Sequence, residues 1–150
     1  MTLDLPRLIA RVESADNQWA MRSEQHVFER RKFNSALMDV TVKANRCSRY
    51  TARWILSTSW GLYQIMGFNL YGFLGWKKPV GELLASSFEQ CNLFMHYCDT
   101  NGIWRAGDPR EADDVWLLRF ATAYNGPGAP LVYRGRMKEV MEQLTKELEQ

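Results

Sequence analysis

The sequence has 150 residues, of which 46% are hydrophobic and 24% are charged, and this predicts one globular domain (residues 1–150) with an apolar core. Its formal net charge of +2 is too small to indicate nucleic-acid binding, which needs a clustered basic surface. No segment approaches the roughly 20 apolar residues that a membrane-spanning helix requires, so we expect no membrane insertion.

The first predicted helix begins near Leu5 and ends near Glu13–Ser14. Pro6 stands where a first turn tolerates proline, and Asp16–Asn17 interrupt the pattern afterwards. Residues 1–6 lack the basic start and the apolar run of a secretory signal peptide. We therefore expect the protein to be made in the cytoplasm.

The next segment is hard to assign. Residues 18–53 show no clear period, and at most a small β-hairpin fits between Trp19 and Val42. From Thr51 to Met66 the pattern predicts one or two short helices, interrupted near Ser57–Ser59.

Three longer helices are predicted after residue 78. Pro79 opens a helix that reaches about Asp99 and ends at Asn101–Gly102. A second runs from Asp108–Pro109 to Tyr124, and the Asn-Gly-Pro-Gly segment at 125–128 predicts a turn. The last extends from about Pro130 to Glu149. Since strand signals are almost absent, we predict a mainly α fold.

The sequence contains three cysteines, at positions 47, 91 and 98. Because their number is odd, they cannot form a fully paired disulfide framework. No Cys-x-x-Cys or histidine-rich spacing indicates zinc. We expect reduced cysteines in the core, no metal site and no cofactor.

Glu13 is a candidate general acid. It follows an apolar helix face at the carbonyl end of the helix, and both the helix dipole and apolar neighbours disfavour a negative charge there. Each effect raises the pKa of a carboxyl group, as a proton donor near neutral pH requires. The alternative is a solvated glutamate at a frayed helix end.

Two further segments carry candidate binding groups. In the first, residues 57–69, Gly61 costs about 1 kcal/mol inside a helical pattern, which close approach of backbone or ligand would explain. Gln64 offers a donor and an acceptor that suit a sugar hydroxyl or acetamido group. In the second, Tyr124 and Asn125 stand where a helix gives way to a rigid turn. A buried amphipathic helix and simple helix termination are the respective alternatives.

Taken in order, these segments resemble the motifs of the lysozyme-like superfamily. The motifs are Glu-Ser at 13–14, Ser-x-Gly-Leu-x-Gln at 59–64, and Ala-Tyr-Asn at 123–125 before Gly-Pro-Gly. The nearest branches are bacterial lytic transglycosylases, goose-type lysozymes and phage N-acetylmuramidases. Residues 59–69 look most like the phage muramidases, and residues 12–26 look more like phage transglycosylases.

The resemblance implies a mainly α domain of the lysozyme-like α+β superfamily, with at most a small β-hairpin and a groove between two lobes. It implies that Glu13 protonates the glycosidic oxygen between N-acetylmuramic acid and N-acetylglucosamine. It further implies substrate-binding roles that are carried over one by one: Gln64 and Ser59 near the cleaved bond, Met66 along the groove, Tyr124 hydrogen-bonded close to Glu13, and Asn125 shaping that corner. Peptidoglycan glycan strands are the implied partner of a monomeric enzyme.

The product chemistry stays open at this point. Hydrolysis uses two carboxyl groups, whereas lytic transglycosylases use one glutamate because the 6-hydroxyl of muramic acid closes an anhydro ring. Glu24, Glu29 and Asp39 are the candidates for a second carboxylate, and each is also explained as a surface or salt-bridging residue. His26 is explained equally well as a structural histidine.

Two other classes of function are kept as alternatives. One is a non-catalytic module that binds peptidoglycan or a protein on the same fold, and the other is a helical scaffold without a sugar site. If the chain cleaves cell walls, we expect it to reach them through a holin-type pore, as an endolysin does, or as part of a virion tail or secretion machine.

Overall fold

The structure, a computed structural model, describes residues 2–150 and is mainly α-helical, in agreement with the predicted class. Its α-helices are α1 (Leu5–Ser14), α2 (Gln25–Arg30), α3 (Ser35–Asn45), α4 (Arg49–Leu56), α5 (Gly67–Tyr71), α6 (Val80–Leu84), α7 (Ser87–Thr100), α8 (Asp114–Asn125) and α9 (Pro130–Leu148). Its strands are β1 (Met21–Ser23), β2 (Thr58–Trp60) and β3 (Ile65–Met66).

Helix α1 has the predicted bounds. The side chain of Asp4 caps it by accepting a hydrogen bond from the Arg7 N–H at 2.8 Å, and Pro6 lies in its first turn. Ala15 ends it in the left-handed region at φ 52°. Glu13 lies in the last turn of this helix. Because the helix buries its apolar face, Glu13 stands beside the core.

The segment left unassigned at 18–53 contains a strand and most of three helices. Helix α3 buries only Met38 and Thr41, so its sequence carries a weak apolar period. Its start is fixed by Asn34, whose side chain accepts from the Leu37 N–H at 2.8 Å, and α4 is capped in the same way by Ser48. Caps fix the starts of both helices, and α4 also buries an apolar face of Ala52, Ile55 and Leu56.

The predicted second helix within 51–66 is wrong, because this stretch forms a hairpin of β2 and β3. The three strands form one antiparallel sheet in the order β1-β2-β3, with Met21 opposite Trp60 and Ser59 opposite Met66. The hairpin was expected between Trp19 and Val42, but β1 is the only strand described in that segment. Strands of two and three residues are too short to show an alternating period.

The helix predicted from Pro79 to Asp99 is two helices, α6 and α7. Ser86 separates the two helices, because its side chain accepts a hydrogen bond from the Glu89 N–H at 3.2 Å and so caps the start of α7. The predicted end at Asn101–Gly102 is confirmed, with Gly102 at φ 64°.

The last two helices are confirmed, and only the start of α8 is shifted from its predicted position. Pro109 opens a 3-10 turn, and Asp113 caps α8 by accepting from the Trp116 N–H at 2.7 Å. Helix α9 packs against both α8 and α1. Its buried residues join the apolar cluster that also holds the buried face of α1: Tyr133, Met137, Met141 and Leu144.

No helix within residues 2–150 is long and apolar enough to cross a membrane. The three cysteines are free thiols, and Cys98 is fully buried on α7.

Candidate active site

One cavity of about 340 Å³, called here the active-site cavity, brings together all six residues singled out from the sequence. It lies where α1, the small sheet and the end of α8 meet. The residues that line it are Glu13, Arg22, Glu24, His26, Val27, Arg31, Ser59, Gln64, Met66, Phe68, Tyr124 and Asn125.

Glu13 is half-buried in the wall of this cavity. Burial raises the pKa of its carboxyl group, because the charged form loses solvation. The hydrogen bond from the Tyr133 hydroxyl to Glu13 Oε1, at 2.5 Å, acts in the opposite direction, as do the positive charges of Arg22 and Arg136. A carboxyl group in this setting takes up a proton readily and still has groups that stabilise its anion.

The hydrogen bond that the resemblance assigned to Tyr124 is made by Tyr133. The Tyr124 hydroxyl instead donates to the backbone carbonyl of Tyr63 at 2.6 Å and so ties α8 to the β2–β3 turn. Helix α9 lies directly against α1, which brings Tyr133 to Glu13 across 120 positions of sequence. Sequence reasoning missed Tyr133 because an aromatic residue on an amphipathic helix is typical of a core position.

A second link to the same helix end comes from Arg136. Its Nη2 donates to the backbone carbonyl of Val12 at 2.7 Å, next to Glu13. This bond satisfies a carbonyl in the last turn of α1 and holds a positive charge close to the carboxyl group.

The turn between β2 and β3 positions Gln64. Gly61 has φ 75° and Gln64 has φ 49°, so the backbone reverses tightly, and Gln64 Nε2 donates to the Gly61 carbonyl at 3.0 Å. A close approach at Gly61 was expected from backbone or ligand, and the structure shows it to come from a side chain. A Cβ there would lie 2.2 Å from Oε1 of the buried Gln90, which accepts the Leu62 N–H at 2.7 Å.

Ser59 and Met66 face each other across the hairpin. The Ser59 hydroxyl donates to Met66 Sδ at 3.0 Å, and Ser59 is almost fully buried. Met66 is half-buried and lines the cavity as predicted. A smaller cavity of about 50 Å³ shares Gln64, Met66 and Tyr124 with the active-site cavity, so the recess continues past Met66 towards Asn69 and Tyr97.

Among the three candidates for a second carboxylate, only Glu24 lines the active-site cavity. Its Oε1 accepts from Arg22 Nε at 2.7 Å, and its Oε2 lies 3.7 Å from His26 Nδ1. Glu29 instead accepts from Gln25 Nε2 at 2.6 Å, and Asp39 is paired with Arg49 on the surface.

Arg31 is a cavity residue that sequence reasoning passed over. Its guanidinium carbon lies 3.6 Å from the centroid of the Phe68 ring, which is a close cation–π contact. No carboxylate within residues 2–150 forms an ion pair with it. Arg31 therefore offers an oriented positive charge to whatever occupies the cavity.

No cluster of three or more His, Cys, Asp or Glu side chains suited to a metal ion is found in the described part of the chain.

Comparison with known proteins gives two matches. The family model described as N-acetylmuramidase matches residues 43–145, a segment that includes Gln64 and Tyr124 and leaves Glu13 outside. Over 124 residues the chain is 36% identical to an endolysin of Enterobacteria phage PRD1, and this alignment covers 79% of the chain and 83% of the phage protein. No solved structure matches the chain.

Proposed function

Because the chain belongs to the N-acetylmuramidase family and is similar to a phage endolysin, we propose that it cleaves the β-1,4 bond between N-acetylmuramic acid and N-acetylglucosamine in peptidoglycan, with Glu13 as the general acid. The observation that carries this proposal is the position of Glu13. Its partly desolvated carboxyl group faces a recess together with the amides of Gln64 and Asn125.

The chemistry begins with a protonated Glu13. Its raised pKa keeps the proton at higher pH than an exposed glutamate does, and the carboxyl group gives this proton to the glycosidic oxygen as the bond breaks. The carboxylate that is left accepts the Tyr133 hydrogen bond and interacts with the charges of Arg22 and Arg136. The same three groups thus stabilise the form of Glu13 that proton transfer creates.

The rest of the cavity binds and orients the glycan. The side-chain amides of Gln64 and Asn125 suit the hydroxyl and acetamido groups of the sugars. Met66 and Phe68 provide apolar surface for the sugar rings. Arg31 faces the carboxylates carried by the peptide on muramic acid, since it is the cavity cation without a carboxylate partner in the described chain.

The step after bond cleavage has two routes. In hydrolysis a second carboxylate activates water or attacks the sugar, and in transglycosylation the 6-hydroxyl of muramic acid attacks instead. Glu24 is the side chain that fits the first route, because it lines the same cavity as Glu13. Because its carboxylate lines the cavity, Glu24 also offers a negative charge that stabilises the oxocarbenium-like transition state of either route.

The experiment that tests the proposal is digestion of purified sacculi by the wild type and by Glu13→Gln. We expect Glu13→Gln to lower the rate of glycan release on the order of 10²- to 10⁴-fold, because it cannot donate the proton. The matched control is Glu29→Gln, which removes an exposed carboxylate outside the cavity and keeps the wild-type rate. Near wild-type release by Glu13→Gln would remove Glu13 from the mechanism.

Mass spectrometry of the same digests separates the two routes. If the wild type releases glycans with reducing ends and Glu24→Gln does not, the reaction is hydrolysis with Glu24 as the second carboxylate. If both the wild type and Glu24→Gln release glycans with anhydro ends, the reaction is transglycosylation with Glu13 as the one catalytic carboxyl group. A wild type that binds sacculi but releases no glycan favours the non-catalytic module.

We propose that the protein acts at the bacterial cell wall, in keeping with its similarity to a phage endolysin. Release through a holin-type pore and delivery by a virion are the two routes to that substrate. They differ in one measurement, because a virion component is present in purified particles and a released endolysin is not.

A further inference from the structure

A second and larger cavity, called here the basic cavity, has a volume of about 740 Å³ and shares no lining residue with the active-site cavity. It lies between the end of α3 and the segment that leads into α6. Its charged lining residues are Lys43, Arg46, Lys77, Lys78 and Glu82. Neither the family match nor the proposed glycan cleavage gives this cavity a role.

The charges in the basic cavity are unbalanced. Four cations face one carboxylate, a formal net charge of +3 that exceeds the +2 of the whole sequence. Glu82 lies 4.0 Å from Lys78, and no carboxylate in residues 2–150 pairs with Lys43, Arg46 or Lys77. The mutual repulsion of these cations is lowered when an anion binds among them.

The two sides of the basic cavity are joined by hydrogen bonds, so the cationic segments are held close together without a ligand. Asn45 Oδ1 accepts from the Val80 N–H at 2.9 Å, and the Tyr71 hydroxyl donates to the Lys78 carbonyl at 3.0 Å. Arg46 ends α3 in the left-handed region at φ 50°, a position that glycine or asparagine usually takes. Arg46 therefore stands at the end of α3, where it lines the basic cavity.

We propose that the basic cavity binds phosphate groups. Three lysines supply compact, rotatable charges and Arg46 supplies a planar fork that can bind two phosphate oxygens, a combination that suits a phosphate with up to two negative charges. The volume lies in the range of pockets that take small ligands. The phosphates come from a free phosphoanion or from the headgroups of anionic lipid.

The test measures binding of two probes, inorganic pyrophosphate by calorimetry and phosphatidylglycerol vesicles by co-sedimentation, with phosphatidylcholine vesicles as the neutral reference. The variant is Lys43→Gln/Lys77→Gln. The matched control is Arg119→Gln/Lys146→Gln, which removes the same two charges from outside both cavities. Unchanged glycan release from sacculi shows that both variants are folded.

We expect the basic-cavity variant to bind at least one probe about tenfold more weakly or worse, because each lysine contributes about fivefold at an anionic lipid surface. The control should stay within about twofold of the wild type. Loss with pyrophosphate assigns a free phosphoanion, and loss with vesicles alone assigns lipid headgroups.

Equal weakening in both variants, or no binding of either probe by the wild type, overturns the proposal. Should the double variant fail to fold, Lys77→Gln alone gives the same comparison, because Lys77 lies outside the helices and is exposed. This test is independent of the glycan chemistry, since it is read from binding rather than from cleavage.

Discussion

At the scale of single residues, the candidate site combines a desolvated carboxyl group with a tyrosine that donates to it. Burial raises the pKa of Glu13, and the Tyr133 hydroxyl partly opposes that effect. The same contact fixes the direction in which the carboxyl group points. One side chain outside the predicted site therefore orients the Glu13 carboxyl group and lowers its pKa from the value that burial alone would give.

We expect Tyr133→Phe to move the alkaline limb of the activity–pH profile to higher pH. The lost hydrogen bond favoured the ionised carboxylate, so the variant keeps its proton further into the alkaline range. The maximal rate should fall on the order of tenfold, since hydrogen bonds to charged groups contribute about 1.5–3 kcal/mol. Glycan release measured from pH 4 to 9 checks both effects.

The control for that variant is Tyr71→Phe, which removes another buried hydroxyl far from Glu13. Its pH profile should match the wild type. An unshifted profile in Tyr133→Phe would show that the contact does not govern the pKa of Glu13.

We expect Arg31→Gln to weaken binding of sacculi about tenfold while neutral N-acetylglucosamine oligomers bind as before. The guanidinium over Phe68 binds carboxylates more strongly than neutral oxygen acceptors, so a neutral glycan loses little when it is removed. Binding is measured with both ligands, and Arg30→Gln, an exposed cation outside the cavity, is the reference. Equal losses on both ligands would contradict a role in anion recognition.

At the scale of elements, the β2–β3 hairpin carries three of the six predicted site residues. It is held from behind by Gln90, which accepts from the Leu62 N–H and donates to the Leu83 carbonyl at 3.1 Å. Gly61 is required because no Cβ fits against Gln90 and because its φ of 75° disfavours other residues.

Gly61→Ala should therefore destabilise the protein by about 2 kcal/mol and reduce glycan release, because the turn must shift away from Gln90. Urea unfolding measures the change in the free energy of unfolding. Gly135→Ala is the matched control within α9, where no atom lies within 4 Å of the new Cβ, and it should stabilise by up to about 1 kcal/mol. Equal effects of the two substitutions would exclude the clash with Gln90 as the cause.

Long helices whose apolar residues recur at helical spacing were predictable from sequence, and short strands and helix breaks that depend on one cap were not. Helices α1 and α9 have the expected bounds because each buries a repeating apolar face. The break at Ser86 and the start at Asn34 depend on single side-chain caps, which a period search overlooks. The hairpin was missed because its strands have two and three residues.

At the scale of the whole molecule, the site exists because elements far apart in sequence meet. The six residues chosen from sequence line one cavity, since the resemblance carries spatial information that composition and periodicity lack. The contact between Tyr133 and Glu13 depends on how α9 docks on α1, and no local pattern reports such docking. For the same reason Tyr124 was given a contact that Tyr133 makes.

The raised pKa of Glu13 also links the site to global stability. The unfolded chain ionises this group near pH 4.5 and the folded chain ionises it at higher pH. In the pH window between these two pKa values, the native state binds more protons than the unfolded state. Folding stability from this group therefore falls as pH rises through the window, by about 1.4 kcal/mol for each pH unit of it. Above the window the loss is constant.

We expect Glu13→Gln to be more stable than the wild type above this window and to approach it below pH 4. The variant cannot ionise at position 13, so it escapes the cost of a buried charge. Urea unfolding at pH 4 and pH 8 gives the two differences, with Glu29→Gln as the exposed reference. If Glu13→Gln raised the free energy of unfolding equally at pH 4 and pH 8, desolvation of the Glu13 carboxylate would not be the cause.

The long separation between Glu13 and Tyr133 also bears on the order of synthesis. Translation proceeds from the amino end, so every nascent chain of 13 to 132 residues has the glutamate but lacks the tyrosine that holds it. Fragments left by premature termination before α9 share this deficiency. The contact between Glu13 and Tyr133 thus forms only after α9 has been made and has docked on α1.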